Sequence, residues 1–165
     1  AVELLGDHRP WGDFRGGKYS NFEAGTRVPF IVSWPAKIKP GVSNALVSHI
    51  DLFASMAGLV GGKIADQAAP DSRNQLETLL GKDSKGRDYI IEQAGTLSVS
   101  DGNWKYITPG NGAVYNKLTN TELGNNKEVQ LYNLKDDVGE KVNIAAQHPE
   151  IIERLRSILE KEKNK

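Results

Sequence analysis

Cysteine is absent from the 165 residues. That excludes a disulfide framework, a thiolate metal site and a cysteine nucleophile within this chain, and leaves the compartment open. A surplus of one charge is absent too: 21 Lys and Arg face 21 Asp and Glu, for a net charge of +0. A nucleic-acid partner is therefore not expected, because such partners ask for a basic patch on a basic domain. No apolar run approaches the roughly 20 residues that span a bilayer, so no membrane partner is expected either. The opening AVELLGDHRPWGD lacks the basic start and long apolar stretch of a signal peptide. It also lacks an initiator Met, which implies a processed chain or a piece of something longer. Missing as well are G-x-S-x-G, H-E-x-x-H and any dense His and carboxylate cluster. An independent enzyme is hard to build from what remains.

What is present fits one domain, or one domain plus part of another. About 27 residues of loop character come first, punctuated by Gly6, Pro10, Gly12, Gly16, Gly17 and Gly25. A loop of this length is uncommon in a compact domain: either it is functional or its packing partners are missing. Residues 28–34, VPFIVSW, read as a strand buried on both faces, since their apolar run is continuous rather than alternating. One strand is not a sheet, so strands encoded upstream are expected to join it. Residues 48–59 read as a helix, with Ser48 and Asp51 as a capping pair. Its apolar surface is formed by Ile50, Phe53, Ala57 and Val60, broadened by Leu52, Met56 and Leu59. Asp71 or Ser72 is expected to cap a short second helix with Leu76, Leu79 and Leu80.

After Gly86 the texture changes. RDYIIEQAG, TLSVSDGNWKYITPG and VQLYNL read as antiparallel strands, with Asp101-Gly102 as a hairpin turn. Residues 110–128 read as an irregular excursion. Pro149 suits the first position of a terminal helix with Ile151, Ile152, Leu155, Ile158 and Leu159 along one stripe. The chain thus divides into residues 1–85, a piece of an α/β layer, and residues 86–165, a small antiparallel sheet covered by one helix.

The sharpest chemical candidate is Lys18 in Arg15-Gly16-Gly17-Lys18. Glycines let a backbone approach a ligand closely, and an ammonium there suits a phosphate or sulfate. A tight turn with a solvated lysine explains the same spacing. His8, beside Asp7, Arg9 and Trp11, fits a substrate contact or a surface loop histidine. His49 and His148 read as capping or packing residues at helix starts. Glu23 and Arg27, four apart around Gly25, read as a pair that braces the loop. Asp136, Asp137 and Glu140 do not match the spacing of a calcium loop and read as a solvated turn.

Residues 15–41, RGGKYSNFEAGTRVPFIVSWPAKIKPG, resemble the late segment of type I sulfatases of the arylsulfatase family. That family shows G-K, an aromatic, E-G-G-x-R-x-P, a strand ending in W-P, then P-G. The matching positions are Gly17-Lys18, Phe22, Glu23-Ala24-Gly25-Thr26-Arg27-Val28-Pro29, Trp34-Pro35 and Pro40-Gly41, with Ala24 replacing one glycine. LVSHIDLFASMAGLVG, DGNWKYI and VQLYNLKDDVGEKVNIAAQHPE resemble later parts of the same family, so the likeness runs from about residue 13 to 160.

The resemblance implies an α/β fold: the C-terminal part of an alkaline-phosphatase-like sulfatase domain, with a small four-stranded antiparallel sheet packed by a C-terminal helix. It implies sulfate-ester hydrolysis by the full-length parent on a sulfated small molecule or glycan. Lys18 would be the sulfate contact, His8 and Arg15 substrate contacts, and Glu23 and Arg27 braces. The parent would use a formylglycine from a C/S-x-P-x-R motif and a calcium ion. Neither that motif nor the calcium-binding residues occur in this chain, so no metal ligand is expected in it and the piece alone is expected to be inactive. Its partner would be the upstream part of its own domain, and its place periplasmic or extracellular. Two other readings stay open: a phosphate or phosphonate ester hydrolase of the same superfamily, and a non-enzymatic module binding a sulfated glycan or a protein.

Overall fold

A computed structural model describes residues 8–65 and 67–164. The chain forms two compact units, one from the residues up to 29 together with those from 91 on, the other from residues 30–90. The expected boundary at 85/86 lies near one crossing between them; the other crossing, at 29/30, has no counterpart in the sequence reading.

In chain order the elements are α1 (Glu23–Thr26), α2 (Asp51–Leu59), α3 (Leu76–Leu79), β1 (Ile90–Gln93), β2 (Leu97–Ser100), β3 (Trp104–Ile107), β4 (Tyr115–Asn116), β5 (Thr121–Glu122), β6 (Gln130–Asn133) and α4 (Pro149–Lys163). The first unit is built on the sheet β1-β2-β3-β6. Val99 lies opposite Tyr106, and Tyr106 opposite Leu131. Because side chains alternate across a strand, these three share one face. α4 lies over it, and its Leu155 and Leu159 are buried. The opposite face carries Lys105 and Ile107 beside Tyr132 and Gln130. It is covered by the segment around α1: Phe22 packs with Ile107 and Tyr132, its ring edge-on to Tyr132 at 5.9 Å. This sheet is thus buried on both faces, and residues 14–27 form one of its covers.

The Asp101-Gly102 hairpin is present. Asp101 Oδ1 accepts the Asn103 and Trp104 amides, and Gly102 holds φ +88. Pro149 occupies the first turn of α4 as expected. His148 caps nothing with its side chain; its ring lies 5.2 Å from that of Trp104 and 3.2 Å from Glu150 Oε1. Within 110–128 a two-stranded ribbon, β4-β5, replaces the expected irregular excursion.

The second unit departs further from expectation. Residues 28–34 form no strand; Val28, Phe30 and Ile31 are more than half exposed. A strand needs a neighbour to satisfy its amides and carbonyls, and the described chain offers this segment none. α2 forms, but its buried residues are Asp51, Ala54 and Ser55, while Phe53, Met56, Leu59 and Val60 face outward. Polar contacts explain this inversion. The fully buried Asp51 carboxylate accepts Arg87 Nε at 2.7 Å, Arg87 Nη2, and the amides of Arg73 and Ser48. Burial works against its charge, yet Arg87 and these amides hold its carboxyl below the usual carboxylate value. Neither Asp71 nor Ser72 caps α3, whose N-cap position is Gln75; Ser72 Oγ accepts the Ala54 amide and donates to the Ile50 carbonyl, and Asn74 Oδ1 accepts the Leu76 amide.

Candidate functional site

Lys18 stands on a tight loop whose path its glycines permit and its hydrogen bonds hold. Gly16 holds φ +87, and a Cβ there would collide with Ser20 Oγ. At Gly25 an added Cβ would collide with the Ser20 carbonyl oxygen, so the chain doubles back on itself only because this residue has no side chain. The Ser20 amide donates to the Gly17 carbonyl at 2.9 Å, and the Ala24 amide to the Arg15 carbonyl at 3.0 Å, closing the base of the loop. Ser20 and Asn21 are fully buried. The Asn21 amide donates to the Leu123 carbonyl, and its Nδ2 to Asn125 Oδ1. At the turn itself Lys18 is exposed, its Nζ 5.0 Å from the centre of the Tyr19 ring. Tyr19 holds φ +75, a left-handed conformation that non-glycine residues seldom adopt. No carboxylate among the described residues pairs with the Lys18 ammonium.

The legs of the loop carry charge inward. Arg15 donates Nε to Glu122 Oε2 at 2.6 Å, Nη2 to Glu122 Oε1 at 3.0 Å and Nη1 to the Glu140 carbonyl at 2.6 Å. Its guanidinium also lies 4.1 Å over the Phe22 ring. The hydrogen bond to Glu122 raises the Arg15 pKa and, in return, lowers that of Glu122. Every nitrogen of this guanidinium faces the protein. Glu23 pairs with Arg27 at 3.2 Å, and Arg27 stacks over Phe14.

Behind the loop lies a buried charge cluster that the sequence reading missed. Lys105, fully buried on β3, donates to Glu23 Oε1 at 3.0 Å and Thr26 Oγ1 at 3.0 Å, and stands 2.9 Å from Glu92 Oε2. Glu140, also fully buried, accepts the Glu23 amide through Oε2 at 2.7 Å. Burial opposes the Lys105 charge, but Glu92, Glu23 and Glu140 outweigh it and its pKa is raised. Burial likewise pushes the Glu140 carboxyl up to about 7, against the pull of Lys105 and the Glu23 amide. One signal was legible: Lys105 alternates with Trp104 and Tyr106 in β3, so it must face the other side of a sheet that residues 14–27 cover.

Of the residues singled out in the sequence, Lys18, Arg15, Glu23 and Arg27 come together on one loop. His8 is exposed at the edge of the described residues. His49 is exposed before α2, outside this loop. Asp137 Oδ2 accepts the amides of Lys141 and Val142, four and five residues on, a longer reach than the Asx-type bonds expected there. Glu140, grouped with that turn in the sequence, points into the core instead. Among the described residues no three His, Asp or Glu side chains form a metal-binding group.

The sulfatase family profile matches residues 2–62. Over its whole length the chain is 50% identical to an N-acetylgalactosamine-6-O-sulfatase of Bacteroides thetaiotaomicron, spanning 33% of that protein. The chain belongs to the sulfatase family, matching its C-terminal portion. Human arylsulfatase A is 28% identical across 89% of the chain, which spans 32% of that protein. A solved structure concerned with metabolism of multiple glycosaminoglycans by Bacteroides thetaiotaomicron superposes with a TM-score of 0.94 at 50% identity, covering 100% of this chain and 35% of that one. A structure of Ps i-CgsB in complex with k-i-k-neocarrahexaose superposes with a TM-score of 0.68 at 21% identity over 90% of this chain and 31% of that one, a likeness of fold alone. The chain spans about a third of the length of the curated sulfatases it matches. The α/β fold with its four-stranded antiparallel sheet and terminal helix is that of the sulfatase C-terminal region.

Proposed function

We propose that this chain serves a sulfuric ester hydrolase acting on sulfated glycans, and that Lys18 is its contact to the sulfate. The observation that carries this is a single exposed ammonium at the turn of a loop whose flanks are pinned by buried hydrogen bonds. A pre-set cation of this kind offsets negative charge as it grows on a sulfate and its leaving oxygen, without reorganising during the reaction. Identity to a sulfatase of 6-sulfated N-acetylgalactosamine supports a sulfated amino sugar as the substrate class. Neither the phosphate-ester reading nor the non-enzymatic reading is favoured by any relative found.

The sulfatase family uses calcium and a formylglycine. This chain's described residues give no metal-binding group, and it has no C/S-x-P-x-R motif. Residues 1–85 read as a slice of the catalytic domain and residues 86–165 as its C-terminal subdomain. The exposed apolar run 28–34 and the outward face of α2 are suited to burial against the remainder of that domain. Arg15, whose nitrogens are all engaged, reads as a brace beside Glu23 and Arg27; His8 retains the reading of a substrate contact. Action on sulfated glycans fits a periplasmic or extracellular place, and no described helix is long and apolar enough to cross a membrane.

The test is Lys18→Ala in the protein carrying a complete sulfatase domain, assayed by sulfate release from N-acetylgalactosamine 6-sulfate. Losing one charge-stabilising donor is expected to lower kcat/KM by about 10²-fold. Wild-type turnover by the variant would refute the assignment.

A further inference from the structure

One residue distant in sequence grips both legs of the Lys18 loop. The backbone carbonyl of Glu140 accepts Arg15 Nη1 at 2.6 Å, and its side-chain Oε2 accepts the Glu23 amide at 2.7 Å. Arg15 and Glu23 bracket Lys18 on either side. To reach both, Glu140 takes φ +48, a left-handed backbone that L side chains seldom adopt. Its remaining oxygen, Oε1, is buried with no hydrogen-bond partner. Around it the Lys105 ammonium on β3, the carboxylates of Glu23 on α1 and Glu92 on β1, and Tyr132 on β6 with Arg15 beside it are the charged or titratable groups of the same core. Three carboxylates facing one buried ammonium make a poor device for stability, since apolar residues of similar volume usually do as well. Strained backbone, an unsatisfied oxygen and surplus negative charge coincide at the one described residue that joins the two legs.

We propose that Glu140 is a positioning residue for the sulfate contact: it holds the loop in the shape that presents the Lys18 ammonium. This rests on the reading of Lys18 given above, and Glu140 itself touches no substrate. A displacement of about 1 Å in a charge contact can cost up to about 10²-fold in rate, so a loosened clamp should be visible in turnover.

The experiment compares Glu140→Ala, Glu140→Gln, Lys18→Ala and the Lys18→Ala/Glu140→Ala double variant in the protein with its complete sulfatase domain. It reads sulfate release from N-acetylgalactosamine 6-sulfate and amide hydrogen exchange. Glu140→Ala is expected to speed exchange at the Ser20, Asn21, Ala24 and Gly25 amides by at least about tenfold relative to β2 and β3, and to lower kcat/KM by about tenfold. Glu140→Gln keeps an acceptor for the Glu23 amide and should restore most of both. In the Lys18→Ala background, Glu140→Ala should add less than about twofold, because the residue acts through Lys18. Equal losses in both backgrounds mean a merely structural role and overturn the proposal, as does unchanged exchange. If Lys18→Ala turns over normally, the sulfate reading is what fails; the clamp then stands or falls on exchange alone. Should Glu140→Ala not fold, Glu140→Asp draws the carboxylate back by one methylene and must show the same local acceleration.

Discussion

The buried Glu140 carboxyl makes stability respond to pH in a direction opposite to most carboxylates. Its pKa stands at about 7 in the folded protein and at the ordinary 4.5 when the chain unfolds. Between those values the folded state holds a proton that the unfolded chain has released. Unfolding there sheds a proton, so stability falls as pH rises through the window from 4.5 to about 7. The cause is burial first, with Lys105 and the Glu23 amide offsetting it only in part. At about 1.4 kcal/mol for each tenfold change in proton affinity, ionising Glu140 in the fold costs on the order of 3 kcal/mol. Glu140→Gln removes the titration but keeps the shape. Urea unfolding of wild type and Glu140→Gln, followed from pH 4 to 8, isolates the effect, because every other group is common to both. The variant should gain on wild type as pH rises, by on the order of 3 kcal/mol over the range. Side-chain carbon NMR of Glu140 gives the direct check. Parallel stability curves, or a Glu140 carboxyl that titrates near 4.5, would show that the cluster does not burden this residue and would refute the reasoning.

Two further perturbations test other parts of the structure. Arg87→Ala leaves the fully buried Asp51 carboxylate without its cation, and breaking such a pair costs about 3–5 kcal/mol; the α2–α3 region should exchange its amides far faster while β2 and β3 stay protected, and unchanged protection at Ala54 and Gln75 would rule the pair out as its anchor. Gly25→Ala puts a methyl group into the Ser20 carbonyl, so the loop must shift; overpacking of this kind costs about 1–3 kcal/mol, and sulfate release should fall while the sheet's circular dichroism is retained, an outcome that full activity of the variant would exclude.

The sheet was legible because its strands carry their own instructions. Val99 stands between Ser98 and Ser100, the apolar and aromatic residues around Tyr106 and Leu131 favour strands, the Asp101-Gly102 turn fixes the hairpin, and Pro149 starts the helix that covers one face. The strand at 28–34 was not, because a continuous apolar run says only that something buries it, not that the described chain supplies the neighbour. α2 misled for a related reason. Periodicity marked Phe53 and Met56 as the inward face, but a buried Asp51–Arg87 pair, joined across 36 positions of sequence, decides which side of the helix meets α3.

The candidate site divides the same way. Lys18 and its glycines were legible because a tight turn is written locally, in residues that touch their neighbours. The clamp was not, because Arg15 meets Glu122 and Glu140, and Glu23 meets Lys105, across more than 80 positions of sequence. The spacing of Glu23 and Arg27 suggests one local brace; Arg27 is the outermost, half-exposed member of a larger system whose buried part begins at Glu23. Of the carboxylates inside it, Glu140 reads from the sequence as part of a solvated turn, for acidic residues are rarely buried unless paired. What places them inside is the doubled cover of the sheet: a lysine on β3 must face the segment that carries Lys18, and once desolvated it needs carboxylates around it. The buried ammonium that orders the loop and the exposed one at its turn therefore play opposite parts. Lys105 is satisfied by the protein, whereas Lys18 is held on a braced turn with no carboxylate partner among the described residues, the state in which a cation is ready for an anion from outside.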